Sequence, residues 1–223
     1  MSDPSGAAVE LPMFPLGSVL LPSMLMPLHV FEPRYRAMVD DVLAAPEPEF
    51  GVVLIDRGSE VGGGDVRTGV GCVAHLVEAG RTEDGRWALV AAGVRRIAVE
   101  AWLPDDPYPR ALVRDLPDVG PTVGAAALDA TEAALRRVAA LASELGSHGL
   151  PEDLELADDV ALRTFQYGVL APIGPLDRQK VLQAPGPTDR LALVDELLAE
   201  QEALLRGRLA LGGGPDGPGP DGP

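Results

Sequence analysis

The side chains that could perform catalysis in this chain are few and scattered. Lys180 is its only lysine and Cys72 its only cysteine, and the histidines are His29, His75 and His148. A serine–lysine peptidase dyad would have to use Lys180, whose surroundings are typical of an amphipathic helix. A phosphate-binding Walker loop needs a lysine directly after its glycines, and Lys180 follows a glutamine instead. The sequence therefore predicts neither a nucleotide-driven motor nor a peptidase.

The remaining polar residues do not indicate a metal centre or an activated nucleophile. The chain has no His-Glu-x-x-His pattern, and one cysteine cannot form an internal disulfide or a cysteine-based zinc site. Cys72 lies in an apolar run, where a small buried hydrophobic residue is expected. The 34 acidic residues produce close carboxylate pairs by chance, and Gly-x-Ser-x-Gly is absent. We predict no catalytic, cofactor-binding or metal-binding residue, and no enzymatic activity.

Composition narrows the classes of partner. The chain has 223 residues, of which 46% are hydrophobic and only 4% aromatic, and a net charge of −16. Such a chain can bury a core, but it lacks the basic face and the aromatic platform that nucleic acids need. No run approaches the ~20 apolar residues of a membrane span, and the acidic N-terminal segment is unlike a signal peptide. We expect a cytoplasmic protein that binds neither nucleic acid nor membrane.

The most distinctive pattern in the chain covers residues 11–36. Prolines alternate there with apolar residues, which excludes a long helix and permits only short or edge strands. We predict two extended runs, Met13–Leu16 and Met24–Val30, joined by a turn. Pro33 then suits the first turn of a helix. One face of that helix is apolar at helical spacing and consists of Tyr35, Met38, Val39 and Val42.

Short strands dominate the next part of the chain. Apolar runs at 50–55, 69–77, 87–92, 97–103 and 111–113 are separated by glycine and proline. The pair Asp84-Gly85 is typical of a hairpin turn, and Gly93 is expected to mark another turn. Together with the opening runs, these strands predict an antiparallel, barrel-like sheet with one short helix after its second strand.

From about Leu116 the apolar residues recur at helical spacing. We predict one helix that ends near Gly146, a second from after Pro151 to about Leu170, and a short third over 176–183. The last predicted helix has Thr188 as its N-cap and a buried apolar face of Leu191, Val194, Leu197, Leu198 and Leu205. The tail contains mainly glycine, proline and aspartate and is expected to be disordered. The predicted division is a disordered N-terminus at 1–9, a β domain at 10–116, a helical bundle at 117–207 and a disordered tail at 208–223.

Several motifs in this order indicate a family. Phe14-Pro15-Leu16 and Leu21-Pro22 precede the run Pro-Leu-His-Val-Phe-Glu-Pro-Arg-Tyr-Arg at 27–36. This set closely resembles the opening of the N-terminal substrate-binding domain of Lon proteases. Further segments that resemble the family are Gly69-Val70-Gly71, Asp84-Gly85-Arg86, Gly93-Val94-Arg95-Arg96, Tyr108-Pro109, 178–183 and Asp189-Arg190-Leu191. Ser23 stands where the family often has glycine.

The resemblance covers about residues 10–206 and implies a fold of the α+β class. That fold is a PUA-like antiparallel β-barrel with one short helix, followed by an α-helical bundle. It also implies recognition of unfolded or damaged polypeptide, as a stand-alone domain without the ATPase and peptidase modules. Candidate contacts to such a substrate lie in the signature run and are His29, Phe31, Glu32, Arg34 and Tyr35.

Alternatives remain open for these residues and for the function. His29 could instead be a hydrogen-bonded residue that shapes the strand-to-helix turn, and Glu32 and Arg34 could form an internal ion pair. The expected partner is a polypeptide substrate or a protease or chaperone, with no cofactor and with the oligomeric state open. A second hypothesis is a PUA-like module that binds a small molecule or RNA, although the acidic charge disfavours RNA. A third, a hydrolase, rests only on kinship with proteases.

Overall fold

The computed structural model describes residues 7–57, 66–147, 149–151 and 153–211. The predicted disorder at the start and in the tail therefore falls largely outside the described residues, as does His148. Contacts between residues divide the chain into two compact units. The first contains residues up to Pro117 together with Arg178–Gln183, and the second contains Asp118–Asp177 and the residues from Ala184 onward. The predicted boundaries of 10–116 and 117–207 stay predictions.

Six strands and five helices make up the described structure. The strands are β1 (Val9–Leu16), β2 (Leu25–Val30), β3 (Glu49–Arg57), β4 (Val66–Arg81), β5 (Trp87–Leu103) and β6 (Arg110–Asp115). The helices are α1 (Pro33–Ala44), α2 (Ala125–Glu144), α3 (Val160–Leu170), α4 (Pro175–Gln183) and α5 (Pro187–Ala210). No helix in these ranges is long and apolar enough to cross a membrane.

The strands of the first unit form a closed ring. The sheet order is β2-β5-β4-β3-β1-β6, and β5 also pairs with β6. Because β5 is 17 residues long, its N-terminal half can pair with β2 while its C-terminal half pairs with β6. Five strands thus close into a barrel, and β2 lies at the outer edge of the sheet. The predicted α+β class and barrel-like sheet are confirmed.

One strand pair departs from the predicted antiparallel arrangement. β1 and β3 run parallel, with Met13 opposite Gly51 and Leu16 opposite Leu54. Parallel neighbours need a crossover of a dozen residues or more, and the segment containing β2 and α1 supplies it. The remaining pairs are antiparallel.

Apolar side chains from five strands fill the barrel. They are fully or nearly fully buried and comprise Leu11, Met13, Val53, Val73, Ile97, Ala111 and Val113. Helix α1 buries the apolar face that its sequence predicted, which consists of Tyr35, Met38, Val39 and Val42. The helix ends at Ala44, ahead of Pro46 and Pro48, which cannot continue a helical hydrogen-bond ladder.

The predicted turn at Gly93 is wrong, because β5 continues through it as one strand. Gly93 instead lies at a bulge, where its N–H donates to the carbonyl of Met24 at 2.9 Å and its carbonyl accepts from Ser23 at 2.8 Å. A Cβ at this position would collide with the carbonyl group of Leu21. The glycine therefore permits the 21–24 turn to pack directly on the strand.

Residues 178–183 of α4 join the barrel through buried polar contacts. The Gln179 side-chain amide donates to the carbonyl of Val70 at 3.0 Å. The buried guanidinium of Arg96 donates to the carbonyls of Leu182 at 2.9 Å and of Pro117 at 3.3 Å. Hydrogen bonds to backbone carbonyls satisfy a buried guanidinium without requiring an opposing charge. These residues resembled the family in sequence, and the contacts give them a structural role.

The second unit is helical, and two of its helix starts differ from prediction. α3 begins at Val160, well after Pro151, because the Asp159 carboxylate caps it by accepting the Leu162 N–H at 2.7 Å. α5 begins at Pro187 with Gly186 as its N-cap, and the Thr188 hydroxyl donates instead to the Pro121 carbonyl. The predicted apolar face of α5 is confirmed, with Leu191, Val194, Leu197, Leu198 and Leu205 buried.

Candidate functional site

A cleft of about 210 Å³ opens in the first unit where β2 leads into α1. We call it the apolar cleft. Its lining is formed by Phe14, Leu16, Ser18, the consecutive residues 26–32, and Tyr35. Four of the five sequence-predicted site residues line it, namely His29, Phe31, Glu32 and Tyr35. Pro33 starts the helix soon after the strand ends, so β2 and the first turn of α1 line the same cleft.

Two aromatic side chains lie at the buried base of the apolar cleft. The rings of Phe14 and Tyr35 pack with their centroids 4.4 Å apart, and Phe50 lies 6.2 Å from Phe14. Phe31 is different, because 53% of its surface is exposed whereas Tyr35 is only 3% exposed. The base is therefore part of the core, while Phe31 is available to a ligand at the rim.

Glu32 and Arg34 form an ion pair with each other. The Arg34 Nε lies 3.1 Å from a carboxylate oxygen of Glu32, and its guanidinium lies 4.5 Å from the centroid of the Tyr35 ring. The Glu32 side chain does not cap α1, although it occupies the N-cap position. The geometry thus supplies the internal pair that the sequence left open, and Arg34 is not among the residues that line the cleft.

A second, shallower cleft adjoins the first and shares His29 and Phe31 with it. Its other side is the β4–β5 hairpin, which contributes Arg81, Thr82, Glu83, Asp84, Arg86 and Trp87. The volume is about 820 Å³. His29 and Phe31 therefore stand between an apolar recess and a charged hairpin.

The hairpin turn is held by its own side chains. The Thr82 hydroxyl donates to the Asp84 carboxylate at 2.5 Å, and this hydrogen bond, followed by that from the Arg86 N–H, lowers the pKa of Asp84. Gly85 has a φ of +76°, which is a conformation that favours glycine. The predicted Asp84-Gly85 hairpin is therefore confirmed. Arg81 lies over the Trp87 ring, 5.4 Å from its centroid.

Neither the sole cysteine nor the sole lysine lines either cleft. Cys72 has no exposed surface, and burial raises the pKa of its thiol to about 12, so it stays protonated at neutral pH. Lys180 lies on α4 and lines neither cleft. No three His, Cys, Asp or Glu side chains within the described part of the chain are grouped so that they could hold a metal ion.

Sequence reasoning missed the residues that complete the clefts from other elements. Phe14, Leu16 and Met26 lie within the proline-rich pattern at residues 11–36, but their spacing only marked them as apolar. Trp87 belongs to a hairpin that is distant in sequence and pairs directly with Val30. Trp87 is one of two tryptophans in an aromatic-poor chain, and this rarity is the signal that could have pointed to it.

Comparison with known proteins agrees with this architecture. The family model for the substrate-binding domain of the ATP-dependent protease La (Lon) matches residues 10–200. Lon protease 2 from Sorangium cellulosum is 30% identical over 218 residues, and Lon protease 2 from Herpetosiphon aurantiacus is 27% identical over 212. These alignments cover 91% and 90% of this chain. The chain spans only about a quarter of the length of the curated relatives it matches, 26% and 25% respectively.

Two solved structures share the fold. A Lon N-terminal domain protein from Xanthomonas campestris superposes with a TM-score of 0.61 at 28% identity, covering 86% of this chain and 98% of that one. The N-terminal domain of a Mycobacterium avium complex Lon protease gives a TM-score of 0.62 at 17% identity, covering 86% and 99%. This chain therefore has the fold of Lon N-terminal domains. The chain belongs to the Lon substrate-binding domain family.

Proposed function

We propose that this protein binds unfolded or damaged polypeptide segments and catalyses no reaction on them. The observation that carries the proposal is the apolar cleft with Phe31 exposed at its rim. An exposed aromatic side chain beside an apolar recess offers the kind of surface that buries a partner's apolar side chains. Folded proteins hide such side chains, whereas unfolded chains expose them. Family membership supports the same class of ligand.

In this proposal, no residue of the chain is catalytic. The sole cysteine is buried and protonated, and the sole lysine is outside both clefts. Bound segments would therefore be held, or passed to a partner such as a protease or chaperone. We place this activity in the cytoplasm. The chain would act as an adaptor in protein quality control. An RNA ligand is disfavoured because the net charge is −16 and phosphate repels such a surface.

The test compares one protein in its folded and unfolded forms as the ligand. Dye-labelled lysozyme, native or reduced and carbamidomethylated, is titrated with this protein without nucleotide, and fluorescence anisotropy is measured. Carbamidomethyl groups are uncharged, so the two forms carry the same net charge and a difference in affinity cannot arise from charge. We expect the unfolded form to bind at least tenfold more tightly than the native one. Equal affinity for both forms, or no binding to either, contradicts the proposal.

Matched variants locate the contact. Phe31→Ala removes an exposed aromatic side chain at the cleft, whereas Leu204→Ala removes an exposed apolar side chain from α5. Loss of a well-placed aromatic contact costs at least about 1 kcal/mol, which is roughly a fivefold or greater loss of affinity. We expect that loss for Phe31→Ala and less than a twofold change for Leu204→Ala. The reverse pattern would place the binding surface elsewhere.

A further inference from the structure

We propose that a bound polypeptide adds to the sheet as a new strand along the free edge of β2. This inference rests on the proposed function and specifies how the ligand is held: by its backbone, in an extended conformation. It also specifies the ligand class as a neutral or basic segment with apolar side chains at alternate positions. Each part follows from the backbone of β2 and the net charge of the whole chain.

The outer edge of β2 carries no strand. β2 is the terminal strand in the sheet order and pairs only with β5 within residues 7–57, 66–147, 149–151 and 153–211. Natural edge strands are usually protected by charged side chains, bulges or proline. Between Leu25 and Phe31 no residue is acidic or is a lysine or arginine, and Pro27 is the single protective residue. This edge is therefore open to pairing with another backbone.

The hydrogen-bond register shows which backbone groups point outward. The Gly93 N–H donates to the Met24 carbonyl, so Met24 faces β5. Antiparallel pairs alternate between bonded and non-bonded residues, so the following residues that face β5 are Met26, Leu28 and Val30. The outward-facing residues are then Leu25, Pro27 and His29. Proline fits this assignment, because it has no N–H to donate to β5.

The outward groups form a pattern that a peptide backbone matches. Leu25 and His29 each present an N–H and a carbonyl, while Pro27 presents a carbonyl alone. Residues two apart along a strand direct their hydrogen-bonding groups to the same side, so an extended segment can pair with all three positions. A small molecule would satisfy only part of this row. The chemistry of the edge therefore selects a polypeptide strand.

The apolar cleft runs along this same edge. Five consecutive residues of β2, 26–30, line it, and alternate side chains of a strand point to opposite faces. A cleft that touches side chains of both faces follows the edge of the strand. An added strand would consequently direct every second side chain toward Phe31 and the buried rings of Phe14 and Tyr35. The net charge of −16 repels acidic segments, which leaves neutral or basic ones.

Hydrogen exchange on the unmodified protein tests the inference. Amide exchange is followed by NMR with and without reduced, carbamidomethylated lysozyme, which is a basic unfolded chain. In the free protein, we expect the outward amides of Leu25 and His29 to exchange fast and those of Met26, Leu28 and Val30 to exchange slowly. The bound ligand should slow the Leu25 and His29 amides at least tenfold. Unchanged exchange of these two amides in the presence of measured binding overturns strand addition.

A pair of substitutions at one position separates the amide from the imidazole. His29→Pro removes the outward N–H, which β5 does not use, and His29→Ala removes only the side chain. We expect His29→Pro to weaken binding of the unfolded ligand at least fivefold more than His29→Ala does. Equal losses overturn the inference. The exchange experiment does not depend on whether the proline variant folds.

The outcomes also distinguish the inference from the proposed function. Binding to unfolded lysozyme without protection at Leu25 and His29 refutes strand addition and leaves polypeptide binding intact. Absence of binding, seen as unchanged anisotropy, refutes both. Protection of the same two amides that rises with protein concentration alone, together with a dimer in sedimentation, shows that a second copy occupies the edge and overturns the inference.

Discussion

Phe14 of β1 and Tyr35 of α1 stack with their ring centroids 4.4 Å apart, although they are separated by the whole of β2. Both side chains are buried, at 7% and 3% exposure. The contact fastens the start of α1 to the barrel and forms the base of the apolar cleft. Phe14 and Tyr35 therefore belong both to the core and to the base of the apolar cleft. The exposed part of the proposed binding surface is formed by other residues, such as Phe31.

This division predicts that stability and binding respond to different phenylalanines. Phe14→Ala should lower the free energy of unfolding by about 3–5 kcal/mol, because it removes a buried ring and leaves a cavity. Phe31→Ala should change it by less than about 0.5 kcal/mol, since an exposed side chain contributes little. Denaturant unfolding measures both values. A large destabilisation by Phe31→Ala would mean that its ring belongs to the core.

Ser23 holds a backbone conformation that glycine adopts more easily. Its φ is +71°, and its hydroxyl is buried without a hydrogen-bond partner among the described residues. Ser23→Gly should raise the free energy of unfolding by about 0.5–1 kcal/mol, because relief of left-handed strain exceeds the added chain entropy. Ser147→Gly, in an exposed loop, is the control and should not stabilise the protein. A destabilised Ser23→Gly variant would show that the backbone of Ser23 is not strained.

Gly93 should tolerate no side chain. A Cβ there would lie 2.8 Å from the carbonyl carbon of Leu21, which is backbone and cannot rotate away. Gly93→Ala should therefore lower the free energy of unfolding by about 1–3 kcal/mol. Gly69→Ala in β4 is the matched control, since its Cβ would have no neighbour within 4 Å. Thermal unfolding of both variants tests the difference, and equal melting temperatures would contradict it.

Arg190 should be the most sensitive residue of the second unit. Its side chain is fully buried, donates to Thr164 at 2.8 Å and to Asp118 at 2.5 Å, and lies 3.3 Å from the Phe165 ring centroid. Arg190→Met should cost about 3–5 kcal/mol, because it breaks a buried ion pair. Arg190→Lys should restore little of that loss, since an ammonium cannot reproduce the planar fork. Full rescue by lysine would refute this geometry.

Cys72 should resist modification until the barrel opens. Burial raises the pKa of its thiol from 9.0 to about 12, so the folded protein holds no reactive thiolate at pH 8. Labelling by a disulfide reagent should be fast in guanidinium chloride and slow in buffer, where it reports opening of the barrel. Rapid native labelling would contradict the burial.

The same thiol should contribute a pH dependence with a defined sign. Below about pH 9 the thiol is protonated in the folded and the unfolded protein, so it does not change the free energy of unfolding with pH. Between about pH 9 and 12 the unfolded thiol ionises and the folded one does not, so the free energy of unfolding falls as pH rises. Cys72→Ala should remove this part of the slope. An unchanged slope in that variant would assign the effect to other groups.

Short-range sequence patterns predicted the elements that can be recognised within a single segment of the chain. The buried face of α1 and the apolar face of α5 follow from i, i+3, i+4 spacing, which reports burial regardless of the partner surface. The Asp84-Gly85 hairpin likewise follows from local conformation. The site residues at 29–35 were located by family resemblance, and their role in binding stays a prediction.

Contacts between distant segments escaped the same reasoning. The sequence predicts a turn at Gly93, whereas the structure shows that the 21–24 turn packs against this glycine. The parallel pairing of β1 with β3 depends on how the intervening segment crosses back. The placement of residues 178–183 with the barrel depends on buried bonds from Gln179 and Arg96 to carbonyls far away in sequence. No pattern within one segment encodes these partners.

By itself, the sequence determined the fold class, the helical and hairpin elements and the absence of motor and peptidase motifs, because composition, short-range spacing and family motifs carry that information. Only the tertiary structure decided that β2 is the terminal strand of the described sheet and lines an apolar cleft, with Phe14 buried at its base and Phe31 exposed at its rim. The reason is physical. Register, strand order and exposure are set by which distant surfaces bury one another, and burial is a property of the assembled fold.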